Sequence, residues 1–203
     1  MQKIDLKKEL RQLYNPSKKE ISVVDVPAMN FLTIDGTGDP NTAQQYKDAV
    51  ESLFSVSYAL KFMIKKGKLG IDYAVMPLEG LWWTEKMEDF SVERKDDWQW
   101  TAMIMQPKWV TKVLVKQAIE QVKKKKGFVN LKDLHFTTIT EGKAAQIMYI
   151  GPYANEAPTI QKIHDFIKQS GNKLSGKHHE IYLNDLRRSA PEKPKTILRQ
   201  PFE

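Results

Sequence analysis

From His178 to Leu183 the residues alternate between two faces, with the apolar pair Ile181 and Leu183 on one of them. His178, Glu180 and Tyr182 fall on one side, and His179, Ile181 and Leu183 on the other, the period of two that marks a half-buried strand. Lys195 to Arg199, closed by Pro201, reads as a strand returning after a polar connection from Asp185 to Pro194. Upstream, Ile21–Val26 and Asn30–Asp35 are strand-like and joined at Pro27-Ala28. Gly70–Met76 is a further strand candidate, interrupted by the PLEGLWW run. Trp98–Gln106 is a strong strand with Trp98, Trp100, Ala102 and Ile104 on one face, and Leu134–Thr140 and Ala145–Gly151 form another pair. Thr84 to Asp97 is charged and reads as a loop or strand edge.

Helical periodicity appears three times. Tyr46, Val50, Leu53, Ser57, Leu60 and Ile64 recur at three- and four-residue spacing, and Asp39 with Pro40 supplies a cap and first position. These predict a helix over Asn41–Lys65. Val110, Val113, Leu114, Ala118 and Val122 predict a second, stopped by a lysine run and Gly127. Asn155 and Pro158 open a third, Glu156–Gln169, whose stripe includes Ile160, Ile163, His164 and Ile167 and which Gly171 ends. Met1–Glu20 carries an amphipathic turn or two.

The segments repeat. Phe31–Phe54 and Met148–Ile167 share a strand end, a glycine-bearing turn, a proline near a helix start and an amphipathic helix. The expectation is an α+β fold: a duplicated strand-strand-helix-strand-strand module giving about eight antiparallel strands, with the helices on one side and a central ligand cleft. Residues 1–20 are an N-terminal extension and 21–203 the domain, divided into a first half 21–107, a linking helix 108–127 and a second half 128–203. Sliding one half on the other sets Asp72 opposite Glu180. If Ile181 and Leu183 face the helices, Glu180 and Tyr182 face the opposite, open side of the sheet.

Composition narrows the function. With 203 residues, 41% hydrophobic and 28% charged, the chain has the balance of a soluble globular protein. No apolar run is long enough to span a bilayer, and the polar N-terminus lacks a signal-peptide core. With no cysteine there is no thiol chemistry, and a cytoplasmic location is the default. The net charge of +7 gathers in lysine runs such as Lys123–Lys126 that follow helix-like segments, where cations suit the helix dipole. No recognition motif accompanies them, so nucleic acid is not the expected partner.

Candidate chemistry is aromatic and acidic. Four of the five tryptophans are Trp82, Trp83, Trp98 and Trp100. Adjacent Trp82 and Trp83 point to opposite faces of any strand, so one lines a cleft or lies exposed unless both merely fill separate cores. The four histidines show no metal-ligand spacing, and no nucleophile elbow or phosphate loop is present; no metal or cofactor is expected. Glu180 beside Tyr182 suits a planar or cationic organic ligand, although the alternation equally fits a solvated glutamate on an open sheet face. Tyr153, just ahead of a helix, either packs its turn or reaches over the sheet.

The segments HHEIYLNDLRRSAPEKPKTILRQP, PLEGLWW, WQWTAMIMQP and YIGPYANEAPTI together resemble the GyrI-like small-molecule-binding family, over roughly Ile21 to Phe202. PLEGLWW points to its stand-alone branch. The resemblance implies a duplicated fold with a central cleft. Relatives sense cationic drugs with aromatics and a buried glutamate, inhibit gyrase, or, in the stand-alone branch, hydrolyse the cyclopropane of DNA-alkylating natural products. It matches Glu180 to the cleft glutamate, with Tyr182 beside it, and Trp82, Trp83, Trp100 and Tyr153 as wall residues. The implied function is hydrolytic detoxification of planar hydrophobic electrophiles by a metal-independent glutamate base. The alternatives are a non-catalytic drug-binding, sensing or sequestering protein, and a module that inhibits a topoisomerase by surface contact. The family's drug-sensing regulators carry a helix-turn-helix domain ahead of this module, and no such motif precedes Ile21.

Overall fold

Eight strands form one antiparallel sheet in the computed structural model, which describes residues 2–85, 95–126, 131–184 and 194–203. In chain order these are β2 (Ser22–Val26), β3 (Met29–Thr37), β5 (Leu78–Trp83), β6 (Gln99–Gln106), β7 (His135–Ile139), β8 (Gly142–Ile150), β9 (His178–Tyr182) and β10 (Lys195–Pro201). Two short strands, β1 (Gln2–Ile4) and β4 (Ile71–Tyr73), pair separately and in parallel. The helices are α1 (Leu6–Glu9), α2 (Arg11–Tyr14), α3 (Gln44–Lys66), α4 (Lys112–Lys126) and α5 (Ala157–Gln169). Most of the charged stretch expected between Thr84 and Asp97, the connection from Asp185, and Gly127 lie outside the described residues.

Two helix starts differ from the sequence reading. Asp39 caps a tight turn rather than a helix, because its carboxylate accepts from the backbone N–H of Asn41 at 2.9 Å. α3 therefore begins at Gln44, after Ala43, which offers no side-chain cap. Tyr153–Asn155 forms a 3-10 turn, so Glu156 rather than Asn155 precedes α5. The predicted stripes do go inward: Leu53, Leu60, Ile163 and Ile167 are fully buried, each contributing about 1.5–3 kcal/mol by leaving water.

The strand order is β2-β8-β10-β9-β5-β6-β3-β7. Read from either end it is the same module, since β2 corresponds to β7, β8 to β3, β10 to β6 and β9 to β5. The corresponding strands match in length where the duplication is clearest: β3 and β8 have nine residues each, β2 and β7 five each. The two halves meet where β5 lies against β9, with Gly80 opposite Glu180, and the pseudo-twofold axis passes there. Three expectations are thereby corrected. PLEGLWW is not an interruption but contains the central strand β5. Asp72 belongs to the small parallel sheet, tied to Lys65 at 2.7 Å and Lys61 at 3.5 Å, so the counterpart of Glu180 is Gly80. The consecutive strands β2 and β3, and β7 and β8, do not pair; β2 ladders with β8 and β7 with β3.

That exchange bends the sheet. Only Pro27 and Ala28 separate β2 from β3, yet β2 is at one edge and β3 is next to the other edge. Two intervening residues span about 11 Å at most, so the edges curl toward each other around a concave face.

Helices α3 and α5 both lie on the convex face. Ile147, Leu198, Glu180, Gly80, Ala102 and Ile34 are successive ladder partners and so share one face. At one end of this row, Ile147 and Leu198 pack with Ile163 and Ile167 of α5. Toward the other, α3 sits on β3 and β6, with Ser57 bonded to Gln106 at 3.1 Å. The helices therefore share a side, as the duplication predicted. Glu180 and Tyr182 do not face an open side, however. They lie on the helix-bearing face, in the gap the two helices leave over β5 and β9, and it is Ile181 and His179 that point into the concave face. The central strands are covered there by aromatic side chains rather than by a helix, with Glu180 and Trp82 both buried, which inverts the simple reading of alternation.

The concave face is closed at its base by a buried polar chain. The Tyr14 hydroxyl donates to Glu79 at 2.7 Å, and Glu79 contacts His179 Nε2 at 2.9 Å. His179 Nδ1 meets Glu141 at 2.9 Å, and Arg199 donates to Glu141 at 3.2 Å, to Gln146 at 3.0 Å and to the Leu13 carbonyl at 2.8 Å. Gln146 in turn donates to the Gln12 carbonyl at 2.7 Å. Two carboxylates face two cations, and the chain fastens α2 to the sheet.

Candidate functional site

Glu180 sits at the centre of the convex face with little solvent exposure. The strand partner on one side, Gly80, has no side chain, and the ring of Trp82 lies over that vacancy; a β-carbon at Gly80 would come within 2.7 Å of Trp82 Nε1. Trp82 Nε1 donates to the Tyr182 hydroxyl at 3.0 Å, and that hydroxyl donates to Glu180 Oε2 at 2.7 Å. The other carboxylate oxygen is 3.4 Å from His178 Nε2. Tyr153, from the turn ahead of α5, meets Tyr182 edge-on at 5.6 Å between centroids. Tyr46, from the first turn of α3, packs on Trp82 at 5.8 Å and edge-on against Trp100 at 5.0 Å, while Trp98 backs Trp82 at 5.5 Å.

The electrostatics are those of a carboxylate among hydroxyl donors. Burial, then the charge of Glu180, pushes the phenols of Tyr46, Tyr153 and Tyr182 above the ordinary tyrosine value. All three stay protonated and able to donate. Such a site offers an aromatic box for a flat molecule, one fixed acceptor and several neutral donors.

The structure thus brings together Glu180, Tyr182, Trp82 and Tyr153, with Trp100 joined through Tyr46. It does not bring Trp83, whose indole points to the opposite face, donates to Gln99 at 3.0 Å and carries the Lys177 ammonium 3.1 Å from its ring centroid. Sequence reasoning missed two members. Tyr46 looked like one more apolar position in a helical stripe, although a tyrosine at the sheet-facing start of a helix carries a hydroxyl that needs a partner. His178 was weighed only as a metal ligand, yet in the alternation it shares a face with Glu180.

The chain matches the GyrI-like small molecule binding domain over residues 19–201, and it belongs to that family. It is 39% identical to a conserved protein from Listeria innocua, with a TM-score of 0.91 and coverage of 98% of this chain and 100% of that one. It is 38% identical to a hydrolase from the same organism, with a TM-score of 0.89 and both chains fully covered. The fold also resembles that of EcmrR in a complex with DNA, at 11% identity and a TM-score of 0.58, covering 98% of this chain and 61% of that one. Comparison with curated proteins gives no match.

Proposed function

We propose that this protein hydrolyses planar, hydrophobic, electrophilic small molecules of the cyclopropanoid alkylating type in the cleft over Glu180. The observation that carries the reading is the carboxylate itself: Glu180 is nearly buried between two helices, its Oε2 held by Tyr182 and its surroundings aromatic. The 38% identity to a Listeria hydrolase supports a catalytic rather than purely binding role. In this mechanism Trp82, Tyr46 and Tyr153 hold the ligand plane, and Glu180 takes a proton from a water placed beside it. The water oxygen bonds to the activated ring carbon as the strained C–C bond breaks, and that electron pair passes into the ligand's conjugated carbonyl. The proton returns to the product, so water is consumed and nothing is oxidised. Orientation and one proton acceptor supply the catalysis.

A second reading has its own support: protonated phenols around a carboxylate also form a box for an organic cation, with Glu180 as counter-ion. Glu180→Gln separates the two. If the glutamate is a base, a neutral electrophile binds as before while turnover falls by roughly 10²–10⁴-fold, followed by mass spectrometry of the ring-opened product. If it is a counter-ion, cationic dyes lose on the order of 1–3 kcal/mol of affinity and the wild type gives no product. Full turnover in the variant removes Glu180 from the chemistry.

A further inference from the structure

The concave face holds a cavity of about 620 Å³, on the far side of the sheet from Glu180. That is within the roughly 300–1,000 Å³ usual for small-molecule pockets. Its floor is apolar: Phe31 and Met103 are almost fully buried, and Val26, Met29, Leu81 and Ile139 complete it. Both sheet edges reach it, β2 through Val26 and β7 through Thr137, so the curl of the sheet forms its walls.

The ionisable groups along it fall into two sets. Glu141 and His179 are committed to the buried chain with Glu79 and Arg199, whose two negative and two positive charges cancel. The others, Asp35, Lys177 and His135, are at the rim, His135 exposed on β7. Asp35 is exposed and accepts the Thr101 hydroxyl at 2.6 Å. Lys177 is half-buried, its ammonium braced on the ring of Trp83 and within the field of Asp35. A singly charged ligand would gain from one of these groups and be repelled by the other. A molecule carrying both signs on neighbouring atoms, with an apolar body for the floor, would gain from both.

We propose that this cavity is a second binding site, separate from the Glu180 cleft, for a zwitterionic molecule of the α-amino-acid type with a bulky apolar side chain. Its carboxylate would meet Lys177, its ammonium Asp35, and its side chain Phe31 and Met103. The probe is L-phenylalanine, with 3-phenylpropanoate and phenethylamine as the analogues lacking one charge each. Excitation at 295 nm reads protein tryptophan, and Trp83 lies directly beneath Lys177.

The expected result is a saturable emission change with L-phenylalanine, and affinity at least tenfold weaker for either analogue. Lys177→Gln should bring L-phenylalanine to the level of phenethylamine, and Asp35→Asn to that of 3-phenylpropanoate. Thr137→Trp, an exposed rim position, should fill the cavity and abolish binding, read by calorimetry because it adds a fluorophore. Glu180→Gln should change none of this, which keeps the test independent of the cleft. The proposal is overturned by absence of saturable binding, by analogues that bind as well as L-phenylalanine, by indifference to the Lys177 and Asp35 changes, or by loss of binding in Glu180→Gln.

Discussion

His179 should make the fold lose stability as the solution turns mildly alkaline. Burial alone would lower its pKa, but the charge of Glu141 and hydrogen bonds to Glu141 and Glu79 outweigh burial and lift it to about 9, from 6.5 when free. A histidine raised in the folded state contributes its full stabilisation below pH 6.5, and that contribution is lost as pH climbs through about 9. At ~1.4 kcal/mol per pH unit the interval corresponds to about 3 kcal/mol. Glu141 forms the other limb: burial would raise it, but His179 and Arg199 hold it down at about 2. Its contribution is present above pH 4.5 and fades only as pH falls through 2. The two limbs report one shared contact, so they are not added. His164, lowered mainly by burial, titrates below the window of interest. Urea unfolding at pH 6, 7, 8 and 9 reads the effect as a falling midpoint at constant slope. His179→Gln should flatten this dependence while lowering stability throughout by about 3–5 kcal/mol, because two buried carboxylates then face one cation. A wild-type midpoint that stays level from pH 6 to 9, or a variant that keeps the wild-type trend, would refute the reasoning.

Gly80→Ala should displace Trp82, whose Nε1 would be 2.7 Å from the new methyl, costing about 1–3 kcal/mol; an unchanged near-ultraviolet dichroism spectrum would contradict this. Tyr14→Phe leaves Glu79 Oε1 without its donor and should cost about 1–3 kcal/mol in chemical denaturation, with no effect expected from Tyr58→Phe on the exposed side of α3. Trp82→Phe should weaken ligands of the cleft, since Tyr182 loses the indole donor, whereas Trp83→Phe should not; equal effects in a dye titration would count against the assignment of faces.

The helices and most strands were legible because their periods were clean over many residues. The duplication was legible too, from the paired helix entries. The centre of the sheet was harder. In PLEGLWW, Pro77 and Gly80 punctuate a run that nonetheless contains the strand β5, and the glycine accommodates an indole rather than turning the chain. Glu180 stands out in the sequence, but its face was inverted, since alternation tells which residues are together and not which layer they meet. The exchange of β2 and β7 was invisible for a similar reason: a two-residue link normally joins neighbours in a hairpin, and nothing local says that the partners lie in the other half. The polar chain through His179 joins residues from Gln12 to Arg199, contacts that no sequence window spans.

The exchanged strands also bear on how such a protein arose and how it can be divided. Neither half can complete its own four-strand sheet, because β2 ladders only with β8 and β7 only with β3 among the described strands. The molecule has the form of a dimer that traded edge strands and was later fused into one chain. Two fragments separated between α4 and Leu131 would each carry an orphan strand, remain unfolded apart, and regain the fold and the cleft only when mixed. That makes the chain a natural split reporter, silent until its halves meet.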